Sequence, residues 1–333
     1  MRPRYHRTGD ADPGKMDERF GLSLVKKKIM RTFFRLIRWQ TLLFLILTQF
    51  LVKYGIVAGL VPDRVLFLTT SDPSFIFLVI STALLAAAGF VINDYFDVKN
   101  DLLVKPERVM VDVKISRNKV ILLHTLLNVL GVICGITASI LAGNPWFSFI
   151  FVALSLFLFY YSARLHHRVV GSVFLIAMFP LIAIGLVWLF EFSTLQLPME
   201  YLHLKIARVV AFYAFFSFIS VLLILLVKQL DYLHNGMEDD RSFIASIGKS
   251  KGQLLIFILI FLCAGLLLSV APLLFYPTYK VTLTVLAMVL ILLGYAMFEL
   301  SVAFREGNYS RVSFLLKVAV LIGVLSMFML NIL

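Results

Sequence analysis

Charge is scarce in this chain. Asp, Glu, Lys and Arg make up 15% of its 333 residues, where a soluble globular domain carries about 25%. Hydrophobic residues reach 61% and the mean hydropathy is +0.95. That balance excludes a soluble enzyme with a large core, and equally a disordered, collagen-like or coiled-coil chain. Cysteine is nearly absent: Cys134 and Cys263 both sit inside apolar runs, which excludes a secreted disulfide scaffold. The six histidines are scattered apart from His166 and His167 and show no zinc spacing. No G-x-x-x-x-G-K-[ST] loop and no G-x-S-x-G elbow occurs. What remains is an all-α polytopic membrane protein.

A bilayer core is crossed by roughly 20 apolar residues in helix. Nine such runs are present, near 39–60, 73–92, 119–142, 145–163, 169–190, 206–230, 254–276, 280–301 and 313–333. The expected organisation is a basic N-terminal segment, 1–38, and a transmembrane domain, 39–333, of about nine helices around a central cavity. Trp39, Trp146 and Trp188 fall at or near the span ends, where amphipathic rings prefer to sit. The N-terminal segment has no early apolar run followed by a small-residue cleavage site, so it is not expected to be a signal peptide. Within it, Leu22 to Gln40 reads as a basic amphipathic helix lying at the membrane surface.

The net charge of +12 is distributed unevenly. Basic loops follow the second, fourth, sixth and eighth spans, whereas the connections near 142–145 and 276–280 are almost uncharged. The positive-inside bias therefore predicts a cytoplasmic N-terminus and cytoplasmic basic loops, and a bacterial inner membrane is the expected location. The surplus charge suits orientation and anionic lipid headgroups. Nucleic acid is not an expected partner, because no segment is long enough to form the soluble basic and aromatic surface it needs.

Acidic residues are the informative minority. Nine of the 19 lie in two segments on the expected cytoplasmic side, each beginning where an apolar helix ends. Charge at that depth is costly and marks an ion or substrate site. The first segment contains Asn93, Asp94, Asp97 and Asp101; if the helix continues, the three acids stand at i, i+3 and i+7 on one face. The second contains Lys228, Asp231, Asn235, Asp239, Asp240 and Arg241, with Asp231, Asn235 and Asp239 at i, i+4 and i+8. Carboxylates sharing a face repel unless a cation bridges them. Mg²⁺ suits them, because it takes carboxylate oxygens and shares its remaining positions with substrate phosphates. Two acidic faces suggest two metal sites clamping one diphosphate.

On these residues the chain resembles the UbiA family of intramembrane prenyltransferases. The pattern N-D-x-x-D-x-x-x-D is matched by Asn93, Asp94, Asp97 and Asp101, after a small-residue helix end, Ala86 to Gly89. Lys105-Pro106-Glu107-Arg108 looks like the family's basic run, and Tyr160-Tyr161-Ser162-Ala163-Arg164-Leu165 resembles its tyrosine, serine and basic tract. Three features depart from the pattern. The basic pair expected after Leu165 is His166-His167, with Arg168 following. Asn235 stands where a middle acid is expected, and either Asp239 or Asp240 completes the second motif. Val109-Met110-Val111 follows Arg108 in place of a proline-containing run.

The resemblance implies prenyl transfer from an isoprenyl diphosphate to a hydrophobic or aromatic acceptor, with two Mg²⁺ ions as cofactors. It implies Asp94, Asp97, Asp101, Asp231, Asn235, Asp239 and Asp240 as metal ligands, with Asp94, Asp97, Asp231 and Asp239 catalytic. Asn93, Lys105, Arg108, Tyr161, Arg164, Lys228 and Arg241 are the implied substrate-binding residues. The acceptor is expected to be a quinone precursor or a lipid glycerol phosphate. Two competing readings are a cation-coupled transporter, whose acids would sit near the midplane, and a membrane phosphoalcohol transferase, whose tightly spaced Asp-Gly motif is absent. Three single residues also invite expectations. Lys53, within the first span, snorkels or finds an inward partner; Glu299 lies near a boundary beside Arg305; His124 is a packed histidine.

Overall fold

A computed structural model describes residues 30–61, 71–104, 109–165, 171–194, 200–236, 242–274 and 280–330. Among them the chain is helical apart from turns and one isolated bridge between Val111 and Ile115. A short helix α1 (30–36) precedes α2 (Trp39–Leu60), whose middle, Leu51–Val57, is wound as a π-helix. Then come α3 (Asp72–Val104), α4 (Arg117–Leu141), α5 (Ser148–Tyr160), α6 (Gly171–Thr194) and α7 (Glu200–His234). The chain finishes with a short α8 (Phe243–Ile247), then α9 (Lys249–Val270), α10 (Lys280–Glu306) and α11 (Ser310–Met329). Among the described residues nine helices are long and apolar enough to cross a membrane, all except α1 and α8. The protein is an integral membrane protein.

These helices fall on the nine apolar runs, but α3 and α7 run further. Each continues past its apolar stretch into charged sequence, α3 to Val104 and α7 to His234. The acids of the first motif therefore sit on helix. Of the expected amphipathic helix, Leu22 to Gln40, residues 22–29 lie outside the described residues, and the described part ends short of Gln40. It stops at Leu36, and Arg38 takes a left-handed conformation, φ 51°, before α2 begins at Trp39. The physical cause is tertiary: Leu36 is fully buried against Val91, Val98, Val109, Met110, Val111 and Val120, and a straight helix could not both bury it and enter the bilayer as α2.

Successive spans alternate in direction. The start of α2, the ends of α3, α5, α7 and α10, and the starts of α4, α6, α9 and α11 therefore share one face. The most enclosed spans are α2, α3 and α7, so both acidic motifs lie on central helices. Large apolar side chains such as Phe261, Ile291, Phe298 and Phe314 point outward, as lipid-facing residues should. Lipid is as apolar as leucine, so hydrophobicity alone does not hold these helices together; close packing and interhelical hydrogen bonds do. Ser74 Oγ donates to the Ala138 carbonyl at 2.8 Å and Ser81 Oγ to that of Gly131 at 2.7 Å, tying α3 to α4. Tyr213 Oη and Ser326 Oγ, 2.8 Å apart, tie α7 to α11. At Gly55 a Cβ would meet the Met327 carbonyl oxygen at 2.5 Å, so only glycine permits that approach of α2 to α11.

Lys53 does not snorkel. It is fully buried in the π-segment, 3.3 Å from Glu191 Oε1 on α6 and 3.8 Å from Asp72 Oδ1 on α3. Its Nζ also stands 4.7 Å from the centre of the Phe75 ring. Glu299 is buried and accepts a 2.8 Å hydrogen bond from Tyr295 Oη, one turn earlier, rather than pairing with Arg305. His124 is packed as expected, with Nδ1 3.0 Å from the Ala88 carbonyl. Removing one member of a buried ion pair strands the other, at about 3–5 kcal/mol. Glu191→Leu should therefore lower the thermal unfolding midpoint in detergent sharply, and Lys53→Met combined with Glu191→Leu should recover most of it. A midpoint unchanged in Glu191→Leu would mean that the pair contributes nothing.

Candidate functional site

The first acidic motif occupies consecutive turns at the end of α3. Asn93 Nδ2 donates to Asp97 Oδ2 at 2.8 Å, the i, i+4 spacing of a helix. Asp97 is buried and Asp94 largely so. Asp94 Oδ1 accepts from Arg38 Nη2 at 2.9 Å, and the Arg38 guanidinium lies 4.9 Å from the centre of the Phe90 ring. The left-handed corner at Arg38 is what turns this side chain toward α3. Beyond the motif, Val109-Met110-Val111 packs into the cluster around Leu36, so the run that departs from the family pattern clamps α1 against α3. The turn that follows is closed by Arg117 Nε donating to Asp112 Oδ2 at 2.6 Å.

Tyr161 opens a π-turn, Tyr161–Leu165, at the end of α5. Its side chain is buried within electrostatic reach of Asp97 and Arg38. Asp101 lies in the last turn of α3 and Arg164 in the π-turn, but their side chains are outside the described set. Lys105, Arg108, Asp239, Asp240 and Arg241 lie outside the described residues.

The second motif is built differently. Asp231 is in the last turn of α7, but the helix ends at His234, so the i, i+4, i+8 face expected for Asp231, Asn235 and Asp239 does not form on one helix. Asn235 instead sits exposed at the helix terminus. Its Nδ2 donates to the Asp231 carbonyl at 2.8 Å and reaches Asp231 Oδ1 at 3.4 Å, and Gly236 follows with φ 70°. Asn-Gly is a helix-terminating pair, because the next residue must adopt a left-handed conformation. One turn before Asp231, Lys228 Nζ lies 5.7 Å from the centre of the Tyr232 ring.

The start of α9 and the α10–α11 link brace this terminus. Lys249 Nζ is 2.8 Å from His234 Nδ1, and Gly307, with φ 80°, abuts the His234 ring. Tyr309 is fully buried beside it, ring centroids 6.1 Å apart. Burial, then the nearby Asp231 charge, push the Tyr309 phenol pKa above its ordinary value.

A cavity of about 1230 Å³ opens between these parts, lined by Arg31, Phe34, Arg35, Arg38, Trp39, Gln40, Thr41 and Lys228. Of these residues Arg38 pairs with Asp94 and Lys228 stands a turn before Asp231 on α7, so the basic vestibule is linked to each motif through one cation. Deeper, between α2, α3, α5 and α6, a slot of about 20 Å³ is lined by residues including Leu45, Leu85, Ala86, Phe151, Phe179 and Leu186. No group of three or more His, Cys, Asp or Glu side chains is close enough to hold a metal among the described residues. The donors present are hard oxygens from Asp94, Asp97 and Asp231, a set that fits Mg²⁺ rather than zinc or copper.

Of the residues singled out in the sequence, the fold carries Asn93, Asp94, Asp97, Tyr161, Lys228 and Asp231 to one face. Arg38, beside Asp94, and Tyr309, beside the end of α7, were not among them. Arg38 read as one more basic residue before a span, and the left-handed corner that aims it carries no glycine to announce it. Tyr309 lies some 80 residues from Asp231 in the chain, and only tertiary packing joins them.

A family model described as the UbiA prenyltransferase family matches residues 38–332. No curated protein matches the chain. Among solved structures, one concerned with digeranylgeranylglyceryl phosphate synthase in membranes aligns with a TM-score of 0.62 at 23% identity, covering 91% of this chain and 98% of that one. A UbiA homolog from Archaeoglobus fulgidus, bound to DMAPP and Mg²⁺, aligns with a TM-score of 0.53 at 14% identity, covering 89% and 99%. Likeness at these identities shows the fold.

The bracing of α7 can be tested at Gly307. A Cβ there would collide with His234, and the left-handed backbone disfavours any other residue at about 1–3 kcal/mol. Gly307→Ala should lower the thermal midpoint of the purified protein, and an unaltered midpoint would show that this loop does not bear on α7.

Proposed function

The chain belongs to the UbiA prenyltransferase family, and from that premise we propose that it transfers a prenyl group from an isoprenyl diphosphate to a glycerol-phosphate lipid. One observation carries the choice of acceptor: the vestibule beside the acidic motifs is lined by Arg31, Arg35, Arg38 and Lys228. Arginine matches phosphate oxygens in a planar fork. An aromatic quinone precursor such as 4-hydroxybenzoate brings a single carboxylate, whereas a phosphorylated acceptor adds a phosphate of higher charge to the donor's diphosphate and so matches this concentration of cations better. The similarity to a digeranylgeranylglyceryl phosphate synthase structure supports the same choice.

In this reading the donor's diphosphate lies between Asp94 and Asp97 on α3 and Asp231 on α7, with Asp101, Asp239, Asp240 and the Asn235 amide oxygen completing the ligand set. Mg²⁺ held there, two ions in our proposal, would neutralise the leaving diphosphate; a homolog bound to DMAPP and Mg²⁺ supports the choice of metal. Asn93 orients the Asp97 carboxylate through its amide. Arg38 and Lys228 contribute positive charge at the diphosphate, joined by Lys105, Arg108, Arg164 and Arg241. The C1–O bond of the donor breaks and the electron pair leaves with the diphosphate. The allylic cation beside Tyr161, whose ring favours a neighbouring positive charge, is captured by the acceptor hydroxyl. A new C–O bond forms, and the hydroxyl proton passes to water.

The tail follows the slot between α2, α3, α5 and α6. At about 20 Å³ the slot holds little more than one water, so those helices must part to admit a prenyl chain. The positive-inside bias places the motif-bearing face, with Arg31, Arg35, Arg38, Arg117 and Lys249, in the cytoplasm, and a bacterial inner membrane is the proposed location.

The test is transfer by the purified protein in micelles, using radiolabelled geranylgeranyl diphosphate and a choice of acceptors. Label should enter geranylgeranylglyceryl phosphate in preference to 4-hydroxybenzoate or dihydroxynaphthoate; labelled aromatic product alone would overturn the acceptor. Chelation should abolish transfer and Mg²⁺ restore it. Asp97→Ala should reduce the rate at least about 10²–10³-fold, the cost of a lost electrostatic stabiliser.

A further inference from the structure

Tyr309 lies in the three-residue link between α10 and α11, far in sequence from either acidic motif. Its side chain is fully buried, yet its hydroxyl has no hydrogen-bond partner among the described residues. A buried hydroxyl left unpaired is costly, and a phenylalanine would fill the same space without that cost. The link is not free to move the hydroxyl elsewhere. Gly307 N–H donates to the Ala303 carbonyl at 2.7 Å, and Ser313 N–H to the Tyr309 carbonyl at 3.0 Å. Ser310 N–H donates to Asn308 Oδ1 at 3.1 Å. The Tyr309 ring packs against His234, itself fixed by Lys249.

His234 and Asp231 are related by i, i+3 on α7, so they share a helix face. The Asp231 charge reaches the phenol, but no hydrogen bond joins the two groups. A gap therefore separates a buried donor from the Asp231 carboxylate. The group that fills it must accept a hydrogen bond from the phenol and also tolerate the carboxylate. An anionic oxygen bridged to Asp231 through a cation meets both conditions.

We propose that Tyr309 is a further substrate-positioning residue, whose hydroxyl donates to a diphosphate oxygen held at the Asp231 end of the site. This rests on the diphosphate reading above. It makes the α10–α11 link a third wall of the diphosphate site, beside the ends of α3 and α7. The phenol donates to a charged acceptor, the stronger class of hydrogen bond.

The experiment is binding of inorganic pyrophosphate with Mg²⁺ to the full chain in detergent, by calorimetry and by thermal shift, for wild type, Tyr309→Phe and Asp97→Ala. Tyr309→Phe should weaken Mg²⁺–pyrophosphate binding about 5- to 10-fold, the loss of one hydrogen bond. Its unfolding midpoint without ligand should equal or exceed that of wild type, since an unpaired hydroxyl has been removed. Mg²⁺ alone should bind both proteins alike. Affinity in Tyr309→Phe within twofold of wild type would overturn the proposal, as would a lowered midpoint without ligand, which would show that the hydroxyl is already paired within the fold. Equal weakening with Mg²⁺ alone would also overturn it, assigning the hydroxyl to a metal-bound water. If wild type binds pyrophosphate, Asp97→Ala does not and Tyr309→Phe binds normally, the inference fails while the diphosphate reading stands. If wild type itself does not bind, the diphosphate reading fails.

Discussion

A charge at the edge of a hydrocarbon layer must be compensated, and the architecture of this protein follows from how its few carboxylates meet that requirement. Asp94 takes Arg38, Asp97 takes the Asn93 amide, and Asp231 takes the amide of Asn235. On the opposite face Glu191 and Asp72 converge on Lys53. Each arrangement constrains backbone. Arg38 reaches Asp94 because the chain turns through a left-handed residue between α1 and α2, and the first span is wound as a π-helix where Lys53 is buried. Bilayer energetics thus act on the fold through a handful of polar contacts.

Those contacts divide the molecule into two regions. The outer half of the bundle is held by Lys53 with Glu191, by hydroxyl-to-carbonyl bonds and by the glycine contact of α2 with α11. The motif-bearing half holds a large basic vestibule lined by α1, the corner and first turn of α2, and Lys228 of α7. A closed slot runs between them. A cross-bonded half beneath an open mouth accords with the proposed function, in which a charged headgroup is held while an apolar tail enters from the side.

Much of this was legible in the sequence. The nine spans follow from unbroken apolar runs, since backbone in a bilayer can be satisfied only within the helix. The first motif follows from acids at helical spacing where an apolar run ends. What was not legible depends on contacts between distant segments. The burial of Leu36, which breaks the N-terminal helix, needs Val109 to Val111 to fold back onto it. The second motif does not form a single helical face because Asn235 and Gly236 end the helix, a signal that the Asn-Gly pair carries in the sequence against the helical spacing of the acids. Glu191 was hidden as one acid near a span end; its importance appears only when Lys53 arrives from another helix.

The central claim is that one diphosphate is gripped from both sides, by the ends of α3 and α7, under the basic vestibule. The most direct test is an experimental structure in a lipid nanodisc, determined with Mg²⁺ and a thio-diphosphate analogue whose C–S bond resists cleavage. The account predicts diphosphate density between Asp97 and Asp231, with Arg38 and Lys228 within contact distance and the tail entering between α2 and α6. Diphosphate density bound only to Arg31 and Arg35 at the outer rim, with neither acidic motif near it, would contradict the account.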